Sequence, residues 1–449
     1  MKRFTRWIFI LALDASLSSA SSESAEKNSL RDDLQRPIDA RLLKLEHAGI
    51  EGSGLFTGKV HRVQDAQGIQ ALSGRLNPGD QLVLANGHWQ NSRISFSGRG
   101  TEAAPILIRP DPTGGALFSG NSSVAFEGTH LIIIGLEFKN LVVTNKGTVI
   151  FRLGNGTNRP AEHCIVNRIK IENCNSPDPA DWPRVRLWQM TVNGRDNTVA
   201  NSTFADLKNF GQMLAAQNLP PTGLQRLHIL NNRFVNRPKL DLQNGYEVIQ
   251  IGWSGEKARS AGSLIQGNYF QNCDGENEII TLKASDVVVR SNTFAGCQGV
   301  LCLRETDRVL VQGNVFDGNG RPNTGAIRLT GADHVITGNT FRNLRLPSNY
   351  YYWTISMMCA DGETSGDDPA GYGRVKNIFI ARNRFEHNDT RIAVGTYPRP
   401  QYPLLPQNIR VKDNVFVGTT ATNAFDYIAP DPTGVLPKEL HQTGNQFLP

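Results

Sequence analysis

The sequence predicts an all-β protein, a right-handed parallel β-helix with an N-terminal helical cap and long groove-forming loops. The main observation is an Asn-x-Phe motif, eight copies of which recur at intervals of 22–44 residues. Its tightest spacings, 24, 22 and 25 residues, match one rung of a β-helix. Stacked Phe side chains would fill the interior, and an Asn at each bend would satisfy backbone groups on adjacent rungs. The motif begins at Asn232, Asn268, Asn292, Asn314, Asn339, Asn383, Asn414 and Asn445.

The second observation is a bulk composition that suits one long repeat protein. A chain of 449 residues would by length alone form two or three domains, but a solenoid can use it all in one. The 39% apolar and 20% charged residues are typical of a globular protein. A net charge of +6 indicates affinity for polyanions, although charge alone does not separate nucleic acid from acidic glycan. No nucleic-acid-reading motif is present, so we expect no nucleic acid partner.

The N-terminus has the three parts of an export signal. A basic region is followed by an apolar run over residues 7–13 and by small residues ending at Ala20. The apolar run is too short to span a bilayer. We therefore expect a signal peptide over 1–20, no stable membrane insertion, and a periplasmic or secreted protein.

The next segment, 21–58, is polar and charged and is predicted as a leader. Leu42, Leu43, Leu45 and Ile50 predict one short amphipathic helix that packs loosely or not at all. The β-helix domain is predicted over 59–449, as a monomer. Its cap is a helix over 66–76, followed by a turn and a strand over 81–85.

Strands then recur without helices between them. Short apolar or alternating runs separated by Gly, Asn, Pro and Asp predict strands at 106–108, 131–134, 165–171 and 198–204. The longer motif spacings of 36, 44 and 31 residues predict loops that wall a binding groove, over 252–262, 346–373 and 396–406. A leucine-rich repeat and a β-propeller are minor alternatives, because their consensus residues are missing.

Six cysteines in a chain this long do not form a disulfide framework. Cys273 and Cys297 each follow a repeat Phe by three residues, so they stack either as a disulfide or as buried free thiols. Both alternatives stay open. No Cys-x-x-Cys or His cluster indicates zinc or iron.

Residues 244–328 contain the candidate catalytic residues. A five-residue frame recurs near the end of this segment and places charged residues at equivalent positions on successive rungs. If equivalent positions stack, Lys283 and Arg304 lie on neighbouring rungs, roughly 4.8 Å apart at the backbone. Like charges that close repel, so a purely structural reason for the pair is hard to find. Arg304 also favours the neutral amine of Lys283, a proton acceptor, and Arg328 extends a cationic strip suited to carboxylates. The frames are 282–286, 303–307 and 329–333.

Glu276 and Glu278 lie two residues apart on an extended segment, so they project from one face. Adjacent carboxylates are unfavourable unless a cation lies between them, and oxygen-only ligands favour Ca²⁺. A solvated acidic loop is the structural alternative.

In this order and spacing, the motifs resemble polysaccharide lyase family 6, the alginate lyase and chondroitinase B group, over roughly residues 60–345. The resemblance implies Ca²⁺ held by Asn244, Glu276 and Glu278. It also implies Lys283 as the base and Arg304 as the second catalytic group. The matching motifs are Asn244-Gly245-Tyr246-Glu247, Glu276-x-Glu278, Lys283, Leu303-Arg304 and Ile327-Arg328.

Residues expected to contact substrate are Arg328, Glu247, Glu305 and Tyr351. Family members often have His after the catalytic Arg, and Glu305 stands there in this chain, which puts the usual substrate preference in doubt. Tyr351 belongs to an aromatic cluster over 350–353, which either stacks sugar rings or anchors a loop. A ladder of Asp286, Asp307 and Asp333 is predicted as a turn feature.

The implied reaction is Ca²⁺-assisted β-elimination, in which Lys283 removes the proton on carbon 5 of a uronic acid. Arginine is a poor acid, so the group that protonates the leaving oxygen is left open between Arg304, Lys283 and water. Alginate is the first expected substrate, and dermatan or chondroitin sulfate is the second. A glycoside hydrolase, an epimerase and an inactive glycan-binding module on the same fold are the alternatives.

Overall fold

The structure is a computed structural model. It describes residues 37–449 except 113, 157, 241–243, 257–258, 346–352, 366–370, 390 and 429–439. The predicted signal peptide and the leader through residue 36 lie outside the described residues. The chain coils through three long sheets whose strands pair in parallel between successive rungs, which confirms the right-handed parallel β-helix.

The first sheet has 14 strands among the described residues. In spatial order they are β1 Val60–Val63, β2 Gln81–Leu84, β5 Ile106–Pro110, β8 Leu131–Ile134, β12 Ile165–Asn167, β16 Thr198–Ala200, β19 His228–Leu230, β22 Leu264–Gln266, β25 Val288–Arg290, β28 Leu310–Gln312, β31 Val335–Thr337, β34 Lys376–Ala381, β37 Gln407–Lys412 and β40 Leu440–Thr443.

The second sheet, also 14-stranded within the described ranges, carries the candidate site. Its strands are β15 Gly194–Arg195, β11 Ala161–Glu162, β7 Ser123–Thr129 with β4 Arg93–Arg99 beside it, β10 Thr148–Leu153, β14 Leu187–Val192, β18 Leu214–Ala216, β21 Ile249–Ile251, β24 Glu278–Leu282, β27 Val300–Leu303, β30 Ile327–Leu329, β33 Ile355–Met358, β36 Ile392–Thr396 and β39 Phe425–Tyr427.

The third sheet has 13 strands in the part of the chain that is described. They are β3 Gly87–Gln90, β6 Ala116–Ser119, β9 Glu137–Lys139, β13 Lys170–Glu172, β17 Thr203–Ala205, β20 Arg233–Arg237, β23 Tyr269–Cys273, β26 Thr293–Ala295, β29 Val315–Asp317, β32 Thr340–Arg342, β35 Arg384–Glu386, β38 Val415–Val417 and β41 Gln446–Leu448.

The repeat motif forms two ladders inside the coil, as predicted. Nine successive Phe rings from Phe204 to Phe447 stack with centroids 4.5–5.2 Å apart. Each Asn amide bonds to the next rung. Asn314, for example, donates from Nδ2 to the Val289 carbonyl (2.9 Å) and to Asn339 Oδ1 (3.0 Å). The motif therefore satisfies buried polar groups while it fills the core.

Two predicted strands are each a pair of strands. Residues 165–171 and 198–204 turn sharply at Arg168 (φ 55°) and Asn201 (φ 52°), where the backbone is left-handed. That turn carries the chain from the first sheet into the third. The prediction treated each run as one strand because both halves are apolar.

Helix α1, Ala40–Gly52, lies against the coil, so the expectation that it packs loosely is wrong. Leu42 and Leu45 are buried, and the Arg41 guanidinium donates to His130 Nδ1 (2.9 Å) and to the His163 carbonyl (2.8 Å). These partners are distant in sequence, and no periodic pattern marks them.

Helix α2, Ala66–Leu72, is the cap and ends four residues earlier than predicted. Asp65 caps it by accepting from the Gly68 amide (2.8 Å), and Ile69 is buried in the core. A single-turn 3₁₀ helix covers Pro179–Asp181. None of the described helices is both long and apolar enough to cross a membrane.

The predicted loop over 346–373 is interrupted by β33, which continues the second sheet. Ile355 pairs with Ile327 on the preceding rung, because the sheet needs a strand from every rung. The six cysteines are buried free thiols, with the Cys273 amide donating to Cys297 Sγ (3.4 Å). The thiol ladder is thus the arrangement the structure has.

Candidate active site

Three basic residues lie on neighbouring strands of the second sheet, Lys283 and Arg304 just after the ends of β24 and β27 and Arg328 within β30. Leu282 pairs with Leu303 in register, so Lys283 and Arg304 follow at equivalent positions on adjacent rungs. The amide of Arg304 donates to the Leu282 carbonyl (2.9 Å). Arg328 pairs with Cys302 on the next strand pair. We call Lys283, Arg304 and Arg328 the cationic edge.

Glu278 is the anion that holds the two arginines of this edge together. Its Oε1 lies 3.2 Å from Arg328 Nη1 and 3.6 Å from Arg304 Nη1, and its Oε2 accepts from Thr281 (2.5 Å). Burial acts to raise the pKa of Glu278. The charges of the two arginines and the Thr281 hydrogen bond outweigh it and lower the pKa to about 2. Glu278 is therefore ionised at neutral pH.

The two arginines stay positively charged. Burial alone would lower the pKa of Arg304, but the Glu278 charge reverses this and raises it above its usual value. The pKa of Arg328 is raised in the same way, against burial, with the Cys302 thiol and Glu278 contributing. The Arg304 side chain is 22% exposed and that of Arg328 only 4%. Arg304 is thus the arginine that a substrate can reach directly.

The surroundings of Glu276 shift its pKa in the opposite direction from that of Glu278. Its Oε1 accepts from the amides of Gly245 (3.0 Å) and Tyr246 (2.8 Å). Burial, followed by the charges of Glu247 and Glu278, raises the pKa of Glu276 to about 10.

The residues around Glu276 fit a bound Ca²⁺ ion through their chemistry. Among the described residues, no group of three or more His, Cys, Asp or Glu side chains is arranged to hold a metal, so an amide or backbone oxygen would have to contribute. Asn244, whose side chain is exposed, precedes the Gly245 amide that Glu276 binds. All three predicted ligands offer oxygen, which Ca²⁺ prefers. Burial is the largest cause of the raised pKa of Glu276, and the charges of Glu247 and Glu278 add to it; a divalent cation would offset those charges.

Two of the predicted substrate contacts are buried side chains. Glu305 is fully buried, and its Oε1 accepts from Arg304 Nε (3.3 Å). Glu247 is also buried, and its Oε2 accepts from Gln212 Nε2 (2.7 Å). In this arrangement both hold neighbouring site residues. Tyr351 lies outside the described residues.

The Asp ladder is a turn feature, as predicted. Asp286 and Asp333 have left-handed backbones (φ 60° and 61°), and Asp307 Oδ1 accepts from the Ala332 amide (2.8 Å). Arg308 donates to both oxygens of Asp286 at 2.7 and 2.9 Å. These carboxylates are occupied by structural contacts.

Arg237 supports the Glu276 side of the site and was missed in the sequence. Its fully buried guanidinium donates to the carbonyls of Tyr246 (3.3 Å), Gly211 (2.7 Å) and Asn209 (2.8 Å), and it lies 4.8 Å from the centroid of the Tyr246 ring. Arg237 thereby fixes the backbone that donates to Glu276. Nothing in the sequence distinguishes it from a surface arginine.

Tyr372 is the second residue that sequence reasoning missed. Its ring centroid is 5.6 Å from the Arg304 guanidinium and 6.0 Å from that of Arg328. The centroid of the Tyr402 ring lies 5.4 Å from that of Tyr372. The long motif spacing marked this insert, but the prediction chose the aromatic cluster over 350–353 within it.

The fold and the site together define a β-helical protein whose cationic edge is suited to an acidic chain. The family model described as Chondroitinase B matches residues 63–425, which is most of the chain. The chain therefore belongs to the chondroitinase B family, and the resemblance to polysaccharide lyase family 6 is confirmed. A search of curated proteins found no match.

Solved structures agree with this assignment. The PL6 family alginate lyase AlyGC superposes with a TM-score of 0.77 at 25% identity, and the match covers 85% of this chain and 53% of AlyGC. The chain thus spans about half the length of that protein. A mannuronic acid specific polysaccharide family 6 lyase from human gut microbiota gives 0.75 at 26% identity, covering 83% of each chain. The PL6 family polysaccharide lyase Pedsa3628 from Pseudopedobacter saltans shares the fold, with a TM-score of 0.73 at 20% identity over 87% of this chain and 92% of that one.

Proposed function

We propose that this chain is a polysaccharide lyase that cleaves an acidic, uronate-containing glycan by β-elimination. The observation that carries the proposal is the register that places Lys283 beside Arg304 at the edge of the second sheet. Family membership supports it, as do two structural neighbours at 25% and 26% identity that are described as lyases.

Different site residues carry out different parts of this reaction. The proton on carbon 5 of a uronate is too weakly acidic to leave at neutral pH unless the adjacent carboxylate is neutralised. Arg304 supplies positive charge where the substrate can reach it. Lys283 accepts the proton, the electron pair forms a double bond between carbons 4 and 5, and the bond from carbon 4 to the leaving oxygen breaks. The product is an unsaturated sugar.

Ca²⁺ is the cofactor we propose, held by Asn244, Glu276 and Glu278. When bound, the ion would supply further positive charge to the substrate carboxylate. The support is the set of oxygen donors and the negative charge of Glu247 and Glu278, which adds to burial in raising the pKa of Glu276 to about 10. Without the ion, Glu276 keeps its proton at neutral pH.

Alginate is the substrate we propose first. Both neighbours near one quarter identity support it, since one is described as an alginate lyase and the other as mannuronic acid specific. Dermatan or chondroitin sulfate is second, because the matching family is described as Chondroitinase B. We further propose that the protein acts in the periplasm or outside the cell, which follows from the predicted signal peptide. We also propose that it acts as a monomer.

A glycoside hydrolase is the second candidate function. A hydrolase needs one protonated and one ionised carboxyl, and the pKa values of Glu276 and Glu278, about 10 and about 2, meet that condition. The hydrolase ranks below the lyase because both structural neighbours near one quarter identity are described as lyases.

The test is incubation with polymannuronate, polyguluronate and dermatan sulfate, each with Ca²⁺ or with chelator. Ultraviolet absorbance reports the unsaturated product, and a reducing-end assay reports every cleavage. The lyase proposal expects both signals to rise together on at least one polymer, and only with Ca²⁺. Reducing ends without absorbance would identify a hydrolase. Binding with neither signal would identify a glycan-binding module.

A further inference from the structure

We propose that the outer face of the second sheet carries a second binding site for the acidic sugar chain, on β14, four strands away from β27 and Arg304. The proposal rests on the proposed lyase function and deepens it, because it says where the far part of a long uronate chain is held. The site consists of two cationic side chains set against three aromatic rings. We call it the aromatic platform, and its residues are Trp182, Arg186, Trp188, Lys208 and Phe210.

The Arg186 guanidinium is held by aromatic rings and not by an anion. Its central carbon lies 4.3 Å from the centroid of the Phe210 ring and 5.1 Å from that of Trp188, so the cation is attracted to both ring systems. Among the described residues it has no carboxylate partner, and its buried Nε has no hydrogen-bond partner. Arg304 differs, because Glu278 and Glu305 both lie against it. The charge of Arg186 is therefore left for an acidic ligand.

Lys208 forms a second pair of the same kind. Its Nζ lies 5.0 Å from the centroid of the Trp182 ring, and no carboxylate in the described part of the chain pairs with it. The two pairs are one unit, because the Phe210 amide donates to the Trp182 carbonyl and the Leu187 amide donates to the Phe210 carbonyl (both 2.7 Å). A uronate chain offers a carboxylate and an apolar ring face in its sugars. Cations recognise the carboxylate, and tryptophan rings pack against the ring face.

Trp188 connects the platform to the rungs of the candidate site. Leu187 and Met190 of the same strand lie in the core, whereas Trp188 is partly exposed. Its indole Nε1 donates to Gln212 Oε1 (2.6 Å), and Gln212 Nε2 donates to Glu247 Oε2 (2.7 Å). These hydrogen bonds run from the platform to Glu247, which directly precedes β21, two strands further along the second sheet.

Phe210 makes the second connection. Gly245 has a positive φ of 90°, and a side chain there would overlap the Phe210 ring, so the glycine lets that ring approach the main chain. The Gly245 amide donates to Oε1 of Glu276 (3.0 Å), one of the proposed calcium ligands. The ring that holds Arg186 thus contacts the segment that holds Glu276. Both connections lead from the platform toward the cationic edge.

A long uronate chain is the ligand that reaches both places. The second sheet places β18, β21 and β24 between β14 and β27, which is roughly 19 Å at about 4.8 Å per strand. A chain whose reacting bond lies beside Arg304 must extend over several sugars to reach Arg186. A trisaccharide has at most two sugars on that side and ends before the platform. The platform therefore favours long chains over short fragments.

The experiment compares the wild type with Arg186→Gln on a long polymer and on a trisaccharide cut from it. The polymer is whichever of polymannuronate, polyguluronate and dermatan sulfate the wild type cleaves best. A hydrogen bond to a charged group changes affinity about tenfold, so the ratio of kcat/KM on the polymer to kcat/KM on the trisaccharide should fall about tenfold. The fall should come from KM, because Arg186 binds the chain far from the reacting bond.

Arg233→Gln is the matched control, since the Arg233 guanidinium lies 5.0 Å from the centroid of the Tyr269 ring on the third sheet. It should keep the wild-type ratio. An unchanged ratio in Arg186→Gln, or equal losses on both substrates, would overturn the platform. If thermal unfolding shows that Arg186→Gln does not fold, Lys208→Gln takes its place, with a lowered ratio expected and an unchanged ratio overturning the proposal.

Binding separates this proposal from the lyase function. Calorimetric titration of Lys283→Ala, with and without Arg186→Gln, measures the affinity for the same three polymers without relying on turnover. The platform predicts about tenfold weaker binding of the double variant. If the wild type forms no unsaturated product and this difference in affinity is found, the lyase function fails and the platform stands. If product forms and neither the ratio nor the affinity changes, the lyase function stands and the platform fails.

Discussion

The inside and the outer edge of the same rungs use stacking in opposite ways. Inside, a side chain stacks on its own kind and gains by it: Phe294 and Phe316 lie 4.6 Å apart, and each Asn donates to the next. At the edge, Lys283 and Arg304 also stack, but like charges repel. Glu278 reduces that cost for the arginines. Stacking of equivalent side chains therefore stabilises the coil where the side chains attract one another. Where they repel one another, the stacking indicates a functional site.

The largest effect on stability is expected at the edge, for Glu278→Gln. The change leaves Arg304 and buried Arg328 without their shared anion, and removing one partner of a buried ion pair costs about 3–5 kcal/mol. Because the pKa of Glu278 falls from 4.5 to about 2 on folding, its contribution is present above pH 4.5 and is lost as pH falls through about 2.

Urea unfolding of wild type and Glu278→Gln at several pH values measures this. The gap in unfolding free energy should be largest at pH 7 and shrink below pH 4.5. A gap that stays constant down to pH 2.5 would mean that the ion pairs do not cause it.

An intermediate loss of stability is expected for Asn314→Ala, in the interior of the coil. The variant leaves the Val289 carbonyl and the Asn292 amide without their side-chain partner, and each such buried group costs about 1–3 kcal/mol. We expect a loss of about 2–4 kcal/mol in unfolding free energy, by the same reasoning. Asn445→Ala is the control, because Asn445 ends the ladder and is partly exposed. Equal losses at the two positions would contradict the role of burial.

An effect of opposite sign is expected for Glu276→Gln in chelator. Folding raises the pKa of Glu276 from 4.5 to about 10, so its contribution is complete below pH 4.5 and is lost as pH rises through about 10. The glutamine variant has no such loss, so it should melt at a higher temperature than the wild type at pH 9. It should also lose any stabilisation by added Ca²⁺. If pH changed the melting temperatures of the wild type and the variant by the same amount, the prediction for Glu276 would be contradicted.

The coil and the register of the cationic edge could be predicted because both repeat. The spacing of the Asn-x-Phe motifs gives the length of a rung directly, and the five-residue frames that contain Lys283 and Arg304 recur together with that motif. Tyr372 and Arg237 could not be predicted, because their roles depend on contacts with chain that is distant in sequence or in a different rung. The packing of α1 is the same case, since Arg41 finds His130 and His163 through tertiary structure alone.

The most direct measurement of the central claim is the rate of unsaturated product formation by Lys283→Ala, followed by ultraviolet absorbance on the polymer that the wild type cleaves. Lys170→Ala is the control, because Lys170 is an exposed lysine on the third sheet paired with Glu137. If Lys283 is the base, its variant loses about 10²–10⁴-fold in rate and the control loses nothing. Absorbance that rises at the wild-type rate without the Lys283 amine would contradict the account.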